Sequence, residues 1–364
     1  MLKLDLGYLA AVVVLGGIIL FHEFGHYLLA RLNGIAVVEF SVGFGPRLLS
    51  WVSQKTGIRY SLKLLPLGGS CAMLGEFGED EDEKEEVPEV KGVSFFDKGP
   101  LAKMAVIAAG PIFNFILAFV FSLVILSWAG IDPAVIAGTS EGMPAETAGL
   151  KEGDVITKLD GRKIHLSREI SMYLMTAGQD PVQVEYRRYD ETSSSWTTEH
   201  TVIQPEFKDG RYYLGVILQG HRDAPESLVQ VLQYSVYEVR YWILTVIDSL
   251  KMIAGGKVST NDIAGPVRIV TIIDQTVEEN TQYGFVTVVM NLLNLMVMFS
   301  ANLGVMNLLP FPALDGGRLV FLLWELVTRQ PVSQRVESAV NMAGMALLMT
   351  FMVFVVFNDL RMIF

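Results

Sequence analysis

Three stretches of the chain contain no Asp, Glu, Lys or Arg over a length that crosses a bilayer: Met104 to Trp128, Phe285 to Leu314 and Ser338 to Asn358. A fourth begins at Leu6, meets no charge before Glu23, and runs on through FHEFGH at 21 to 26 as far as Ala30. A hydrocarbon core of ~30 Å takes about 20 residues of helix, so the sequence predicts four transmembrane helices. With 364 residues, 51% of them hydrophobic, there is also room for a folded domain outside the bilayer. Lys3 ahead of the first apolar stretch suggests a cleaved signal peptide. No small-x-small cleavage pattern follows, however, and Asp5 weakens the basic flank, so the stretch is read as a span.

Orientation follows Lys and Arg near the ends of spans. The segment between the first two spans is rich in both, from Arg31 to Lys103, whereas Lys3 alone precedes span one. That segment is expected in the cytoplasm and the N-terminus outside. Residues 131–222 then lie outside the membrane, and Arg318, Arg329 and Arg335 place the link between spans three and four in the cytoplasm, with the C-terminus outside. Ser227 to Gly256 is apolar but carries Glu238, Arg240, Asp248 and Lys251, so it is read as an amphipathic helix on the outer surface. The expected divisions are residues 1–130, 131–222, 223–282 and 283–364.

A net charge of −11 argues against a nucleic-acid partner, and the acidic run Gly78 to Val90 reads as a solvated, disordered loop. Cys71 is the single cysteine. It excludes an internal disulfide and any multi-cysteine metal site, which leaves His and carboxylates as metal donors.

His22 and His26 are four residues apart and share a helix face, so both can reach one ion with Glu23 alongside. This is the HExxH arrangement of zinc hydrolases, whose glutamate is a general base. The alternative is that the histidines merely end the span at the interface. Ionisable groups inside a span are costly, which favours the functional reading. Catalytic zinc usually takes three protein ligands. Glu39 and the acidic run are possible donors, but a better candidate is Asp315 in NLLPFPALDGGR, at the leaflet expected for the histidines. Pro310 and Pro312 prevent a regular helix there, and Gly316-Gly317 permits a tight turn.

FHEFGH at 21–26, AGPIFNFILA at 109–118 and NLLPFPALDGG at 307–317 together resemble the site-2 protease family of intramembrane zinc metalloproteases, specifically the bacterial regulator-of-sigma-E branch that carries a PDZ domain. The resemblance covers nearly the whole chain. It implies Zn²⁺ held by His22, His26 and Asp315, with Glu23 as catalytic base. It further implies a multi-pass protein of the bacterial cytoplasmic membrane. Its substrates would be transmembrane segments of single-pass proteins, such as anti-sigma factors or remnant signal peptides, after a site-1 protease has removed their outer domains. The best-known member has two tandem PDZ domains, whereas this chain has room for one.

The outer segment fits a PDZ domain of about Ala134 to Gln219. Val155 to Leu159 runs into Asp160-Gly161, a hairpin-turn signal, and Ser167 to Ala177 reads as a helix stopped by Gly178. PVQVEYRR and WTTEHTVIQ read as strands, with His165, His200 and His221 as surface residues. Such domains bind peptides by strand addition, or serve as a steric gate if the groove is closed. The fold expected is thus a polytopic α-helical membrane protein with four transmembrane helices, a membrane-associated β-hairpin and one extracytoplasmic PDZ domain of α+β type.

Ile58 to Leu64 alternates apolar and polar residues as a strand, followed by Pro66 and Gly68-Gly69 as a turn. In the family this region forms β-structure near the active site. Tyr60, Ser61, Leu62, Lys63 and Leu64 are therefore read as an edge that captures unwound substrate, the alternative being a hairpin with no substrate role. Asn114 and Asn307 are amides in apolar surroundings that either bond substrate backbone or hold helices together. The family pattern favours substrate for Asn307 and leaves Asn114 open. Two other classes remain: a membrane PDZ scaffold with an inert HExxH, and a zinc transporter or sensor.

Overall fold

A computed structural model of the protein describes residues 6–75, 90–258 and 263–363. The acidic run lies outside the described residues apart from Val90. In chain order the helices are α1 (Leu6–Leu32), α2 (Pro100–Ala129), α3 (Pro144–Thr147), α4 (Ser167–Ala177), α5 (Leu228–Ala254), α6 (Pro266–Thr281), α7 (Phe285–Leu308), α8 (Asp315–Thr328) and α9 (Gln334–Ile363). The strands are β1 (Val37–Val52), β2 (Arg59–Met73), β3 (Ile136–Thr139), β4 (Val155–Leu159), β5 (Arg162–Lys163), β6 (Val182–Asp190), β7 (Ser195–Ile203), β8 (Glu206–Lys208), β9 (Arg211–Tyr213) and β10 (Val216–Leu218). They form two compact units, Met1–Phe121 with Ser259–Phe364, and Ser122–Val258.

Among the described residues four helices, α1, α2, α7 and α9, are long and apolar enough to cross a membrane, as the sequence predicts. At 1.5 Å per residue, α1 is about 40 Å long. Its buried positions, Gly7, Ala11, Val14, Ile18, His22, Gly25, His26 and Ala30, recur every three or four residues and so make one stripe. Both histidines therefore face the interior of the bundle.

Span three is shorter than expected, because α7 stops at Leu308 rather than Leu314. Pro310 and Pro312 cannot continue the helical hydrogen bonding, and Ala313 takes a left-handed φ of 73°, unusual for a residue with a Cβ. A helix absent from the sequence reading, α8, then begins at Asp315. Gly316 and Gly317 are in its first turn and do not form the turn expected of them. A Cβ at Gly316 would lie 2.2 Å from the Leu309 carbonyl oxygen, so glycine is what lets α8 start against the broken segment.

The β-structure is larger than the sequence indicated. β1 and β2 make one long antiparallel hairpin, pairing Val52 with Arg59 near its tip and Val37 with Met73 at its base. The hairpin folds back on itself, so that Glu39, Phe40, Ser41 and Val42 are partnered by Ala72, Cys71, Ser70 and Gly69 on one side and by Arg59, Tyr60, Ser61 and Leu62 on the other. The expected turn at Pro66 to Gly69 is instead continuous strand running on to Met73. Glu39 pins the fold-back: it accepts hydrogen bonds from Arg47 (2.9 Å) and Ser61 (2.5 Å), with Lys63 at 3.4 Å.

The helical region expected at 223–282 divides between the units at Val258/Ser259. α6 belongs with the spans, packed on α1 and α7. At its start, the backbone N–H groups of Gly265, just before the helix, and Arg268, in its first turn, donate to the Asp359 carboxylate of α9, both at 3.0 Å.

In the second unit, β5-β4-β6-β7 form an antiparallel sheet, with β10 paired to β3 and β8 to β9. Asp160 and Gly161 both have positive φ (45° and 79°), as the two-residue hairpin turn requires. The core is built from Ile136, Ile156, Leu159, Ile170, Val184 and neighbours. α5 forms as expected, capped by Ser227, but three of its charges, Glu238, Arg240 and Asp248, are engaged by partners elsewhere in the unit. Asp248 accepts from Arg162 (2.5 Å), Glu238 from Arg168, and Arg240 donates to Glu169 (2.5 Å). His165, expected at the surface, is stacked on Tyr237 of α5 at 3.7 Å between ring centroids. His200 and His221 are exposed as expected.

Candidate metal centre

His22 and His26 are nearly buried on α1, and their Nε2 atoms lie 3.2 Å apart. Asp315, the first residue of α8, closes a triangle: its Oδ2 is 3.3 Å from His22 Nε2 and 3.4 Å from His26 Nε2. Among the described residues this is the group of His, Cys, Asp and Glu side chains able to hold a metal ion. Tetrahedral zinc with bonds of ~2.0–2.1 Å has ligand atoms ~3.3 Å apart. The three edges match that spacing. Asp315 Oδ2 is also buried without a hydrogen-bond partner, a costly condition that a bound cation removes. The residues present therefore fit zinc.

α2 supplies the setting for both imidazoles. His26 Nδ1 is 2.9 Å from the Val106 carbonyl oxygen, and His22 Nδ1 is 3.1 Å from the Asn114 side-chain amide. Each ring thus turns Nδ1 toward α2 and Nε2 toward Asp315. Between them lies Gly110, where a Cβ would stand 2.3 Å from His26 Nε2 and 2.7 Å from His22 Cε1. Glycine is required for the rings to occupy this space. Asn307, at the end of α7, reaches the other side of His22, 3.4 Å from Nε2.

Glu23 lines the same cavity as the three candidate ligands, together with Gly68, Gly69 and Cys71 of β2. A Cβ at Gly69 would meet Glu23 Cγ at 2.8 Å. The strand that passes the centre is accordingly the Gly69–Met73 part of β2. It is partnered on one side by β1.

This corrects the expected substrate edge. Arg59 to Leu62 has β1 partners on both sides, so its backbone is already used within the sheet. Tyr60 hydrogen-bonds Tyr27 at 3.1 Å and stacks on Trp51, and Ser61 and Lys63 are committed to Glu39. Leu62 and Leu64 are exposed, but neither they nor Tyr60, Ser61 or Lys63 line the cavity. Glu39, weighed above as a third ligand, is held by those contacts instead. Burial acts to raise its pKa, but hydrogen bonds from Arg47 and Ser61 and the Lys63 charge outweigh this and lower it. The sequence reading missed Val106, whose contribution is a backbone carbonyl and leaves no trace in residue identity. It also missed Gly110, although Gly110 and Asn114 are four apart and so share a face of α2.

Two buried histidines on α1, a partly buried aspartate at the start of α8 and a glutamate beside them make the donor set of a metal-dependent hydrolase, and α1 is one of the helices long and apolar enough to cross a membrane. The model of "Peptidase family M50" matches residues 10–351. A Clostridium acetobutylicum protein is 33% identical over 350 residues, covering 96% of each chain. Zinc metalloprotease RasP of Shouchella clausii is 31% identical (98% of this chain, 99% of RasP), and metalloprotease MmpA of Caulobacter vibrioides is 31% identical (96% and 94%). A solved PDZ domain of an SdrC-like protein from Listeria innocua aligns to 25% of this chain and 98% of its own, at 26% identity and a TM-score of 0.21. The chain belongs to peptidase family M50, the site-2 proteases. It is a multi-pass membrane zinc metalloendopeptidase, which sets aside the inert scaffold and the transporter.

Proposed function

We propose that the protein cleaves transmembrane segments of single-pass membrane proteins, with His22, His26 and Asp315 as zinc ligands and Glu23 as general base. The observation that carries this reading is the triangle of three donor atoms, 3.2 to 3.4 Å on a side, on α1 and α8. Zinc, when bound, acts as a Lewis acid and lowers the pKa of a water toward ~7. Glu23 would act as general base toward the attacking water and return the proton to the leaving amide nitrogen. Gly69 keeps the space beside Glu23 open for the reacting peptide bond.

A helical substrate hides its carbonyls in its own hydrogen bonds, so it must be unwound before it is cut. The Gly69–Met73 side of the hairpin pairs with β1 on one side and borders the centre, which suits strand addition. Asn307 at the mouth of the centre is placed to bond the captured backbone. Exposed Leu48, Leu49 and Trp51 near the hairpin tip support its contact with lipid. The PDZ-like unit is extracytoplasmic in this reading, both termini are outside, and substrates arrive after a first cut by a site-1 protease, as in regulated proteolysis of anti-sigma factors or remnant signal peptides. The membrane is the bacterial cytoplasmic membrane.

The test is cleavage of a model single-pass substrate by the purified full chain in detergent. The wild type should cut it, a chelator should stop it and added zinc should restore it. Glu23→Gln should lose cleavage by at least the ~10²-fold of a missing general base; cleavage at the wild-type rate would refute the assignment.

A further inference from the structure

Asn114 is fully buried in α2, and its side-chain amide has a single polar contact, the Nδ1 atom of His22 at 3.1 Å. As oriented, Nδ2 faces the ring and Oδ1 is buried without a partner. Rotating the amide exchanges the two atoms and again leaves one of them unpaired. The amide's orientation is therefore set by the imidazole, and the imidazole's tautomer by what occupies Nε2. If Nε2 ligates a metal, the ring's single proton must sit on Nδ1, which then has to donate. The acceptor within reach is Asn114 Oδ1. His26 meets the same requirement with a group that can only accept, the Val106 carbonyl, at 2.9 Å.

We propose that Asn114 is a positioning residue for the metal centre, accepting the His22 Nδ1–H through its side-chain oxygen and so fixing the ring with Nε2 toward Asp315. This rests on His22 being a zinc ligand, and it takes Asn114 away from substrate. Metal-bound histidines regularly donate their second ring N–H to a carbonyl or carboxylate, and loss of that partner typically weakens metal affinity 10- to 100-fold. The Asn114 backbone carbonyl is separately engaged by Ser300 Oγ at 2.8 Å, which fixes the α2–α7 contact independently of the side chain.

The experiment measures zinc affinity of the purified full chain by competition with a chelator, for wild type, Asn114→Leu, Asn114→Asp and His22→Ala. Leucine fills the volume without an acceptor, whereas aspartate keeps the acceptor but buries a carboxylate. A positioning role predicts zinc binding 10- to 100-fold weaker in Asn114→Leu and within about threefold of wild type in Asn114→Asp. A packing role predicts the reverse order, since leucine suits an apolar helix face and a buried charge does not. A substrate role predicts wild-type zinc affinity in both variants, with KM raised. The reverse order, equal loss in both, or wild-type affinity in both each overturns the proposal. His22→Ala isolates the premise: if it retains wild-type zinc, the ligand assignment itself has failed.

Discussion

Lys103 of α2 and Glu325 of α8 form a bidentate ion pair, with the ammonium 2.8 Å from each carboxylate oxygen and Lys103 only 3% exposed. α8 begins at Asp315, and α2 holds both imidazoles. The pair therefore ties the helix of the third candidate ligand to the helix that orients the other two. Replacing Lys103 with Met leaves Glu325 unpaired, and breaking a buried pair costs about 3–5 kcal/mol. The low end is expected, because the Glu325 side chain keeps 17% exposure. Thermal unfolding in detergent should show the loss, with zinc affinity falling alongside it, and Lys103→Glu with Glu325→Lys should recover part of both.

Gly110→Ala separates helix stability from the centre. Alanine is the better helix former by about 1 kcal/mol, so a structural glycine should tolerate it. Here the added Cβ would stand 2.3 Å from His26 Nε2. Zinc content of the purified variant should fall to a small fraction of wild type while its helical circular dichroism is unchanged. Wild-type zinc would show that the rings do not occupy this space.

The hairpin predicts two different proline scans. From Ser70 to Ala72, where β1 pairs on one side, proline should abolish cleavage at positions whose N–H faces outward and leave zinc in place, with alternation along the strand. From Arg59 to Leu62, with partners on both sides, every proline breaks a ladder, and folding and zinc should be lost together. Full cleavage throughout Ser70 to Ala72 would remove this strand from substrate capture.

These scans mark where the sequence stopped being sufficient. The four spans were legible because a charge-free run of that length has few other uses, and His22 and His26 because a spacing of four fixes a shared face. The Ile58–Leu64 strand was legible as well, but its place in the sheet was not. Alternation reports two faces and says nothing about which neighbours use the backbone, and the fold-back of β1 onto Tyr60 and Ser61 is a long-range event. α8 was hidden for a related reason. The prolines signalled a break, and Gly316-Gly317 reads as a turn unless the carbonyls of Leu308 and Leu309 are known to press against them. On α5, Glu238 and Asp248 looked like a solvated face, although their partners Arg168 and Arg162 lie some seventy residues or more away in sequence.

The proposed orientation is tested by labelling. In a Cys71→Ser background, a cysteine at Gly210 should react with a membrane-impermeant thiol reagent added to intact cells, and one at Gln330 should react only after lysis. The opposite pattern would reverse the topology and with it the proposed extracytoplasmic position of residues 131–222.

Zinc stoichiometry of the purified chain, measured by elemental analysis for the wild type, His22→Ala, His26→Ala, Asp315→Ala and Glu23→Gln, reaches the central claim most directly. One zinc per chain is expected in the wild type and in Glu23→Gln, the latter without cleavage activity, and almost none in the three ligand variants. A full equivalent of zinc with wild-type cleavage in Asp315→Ala would contradict the account.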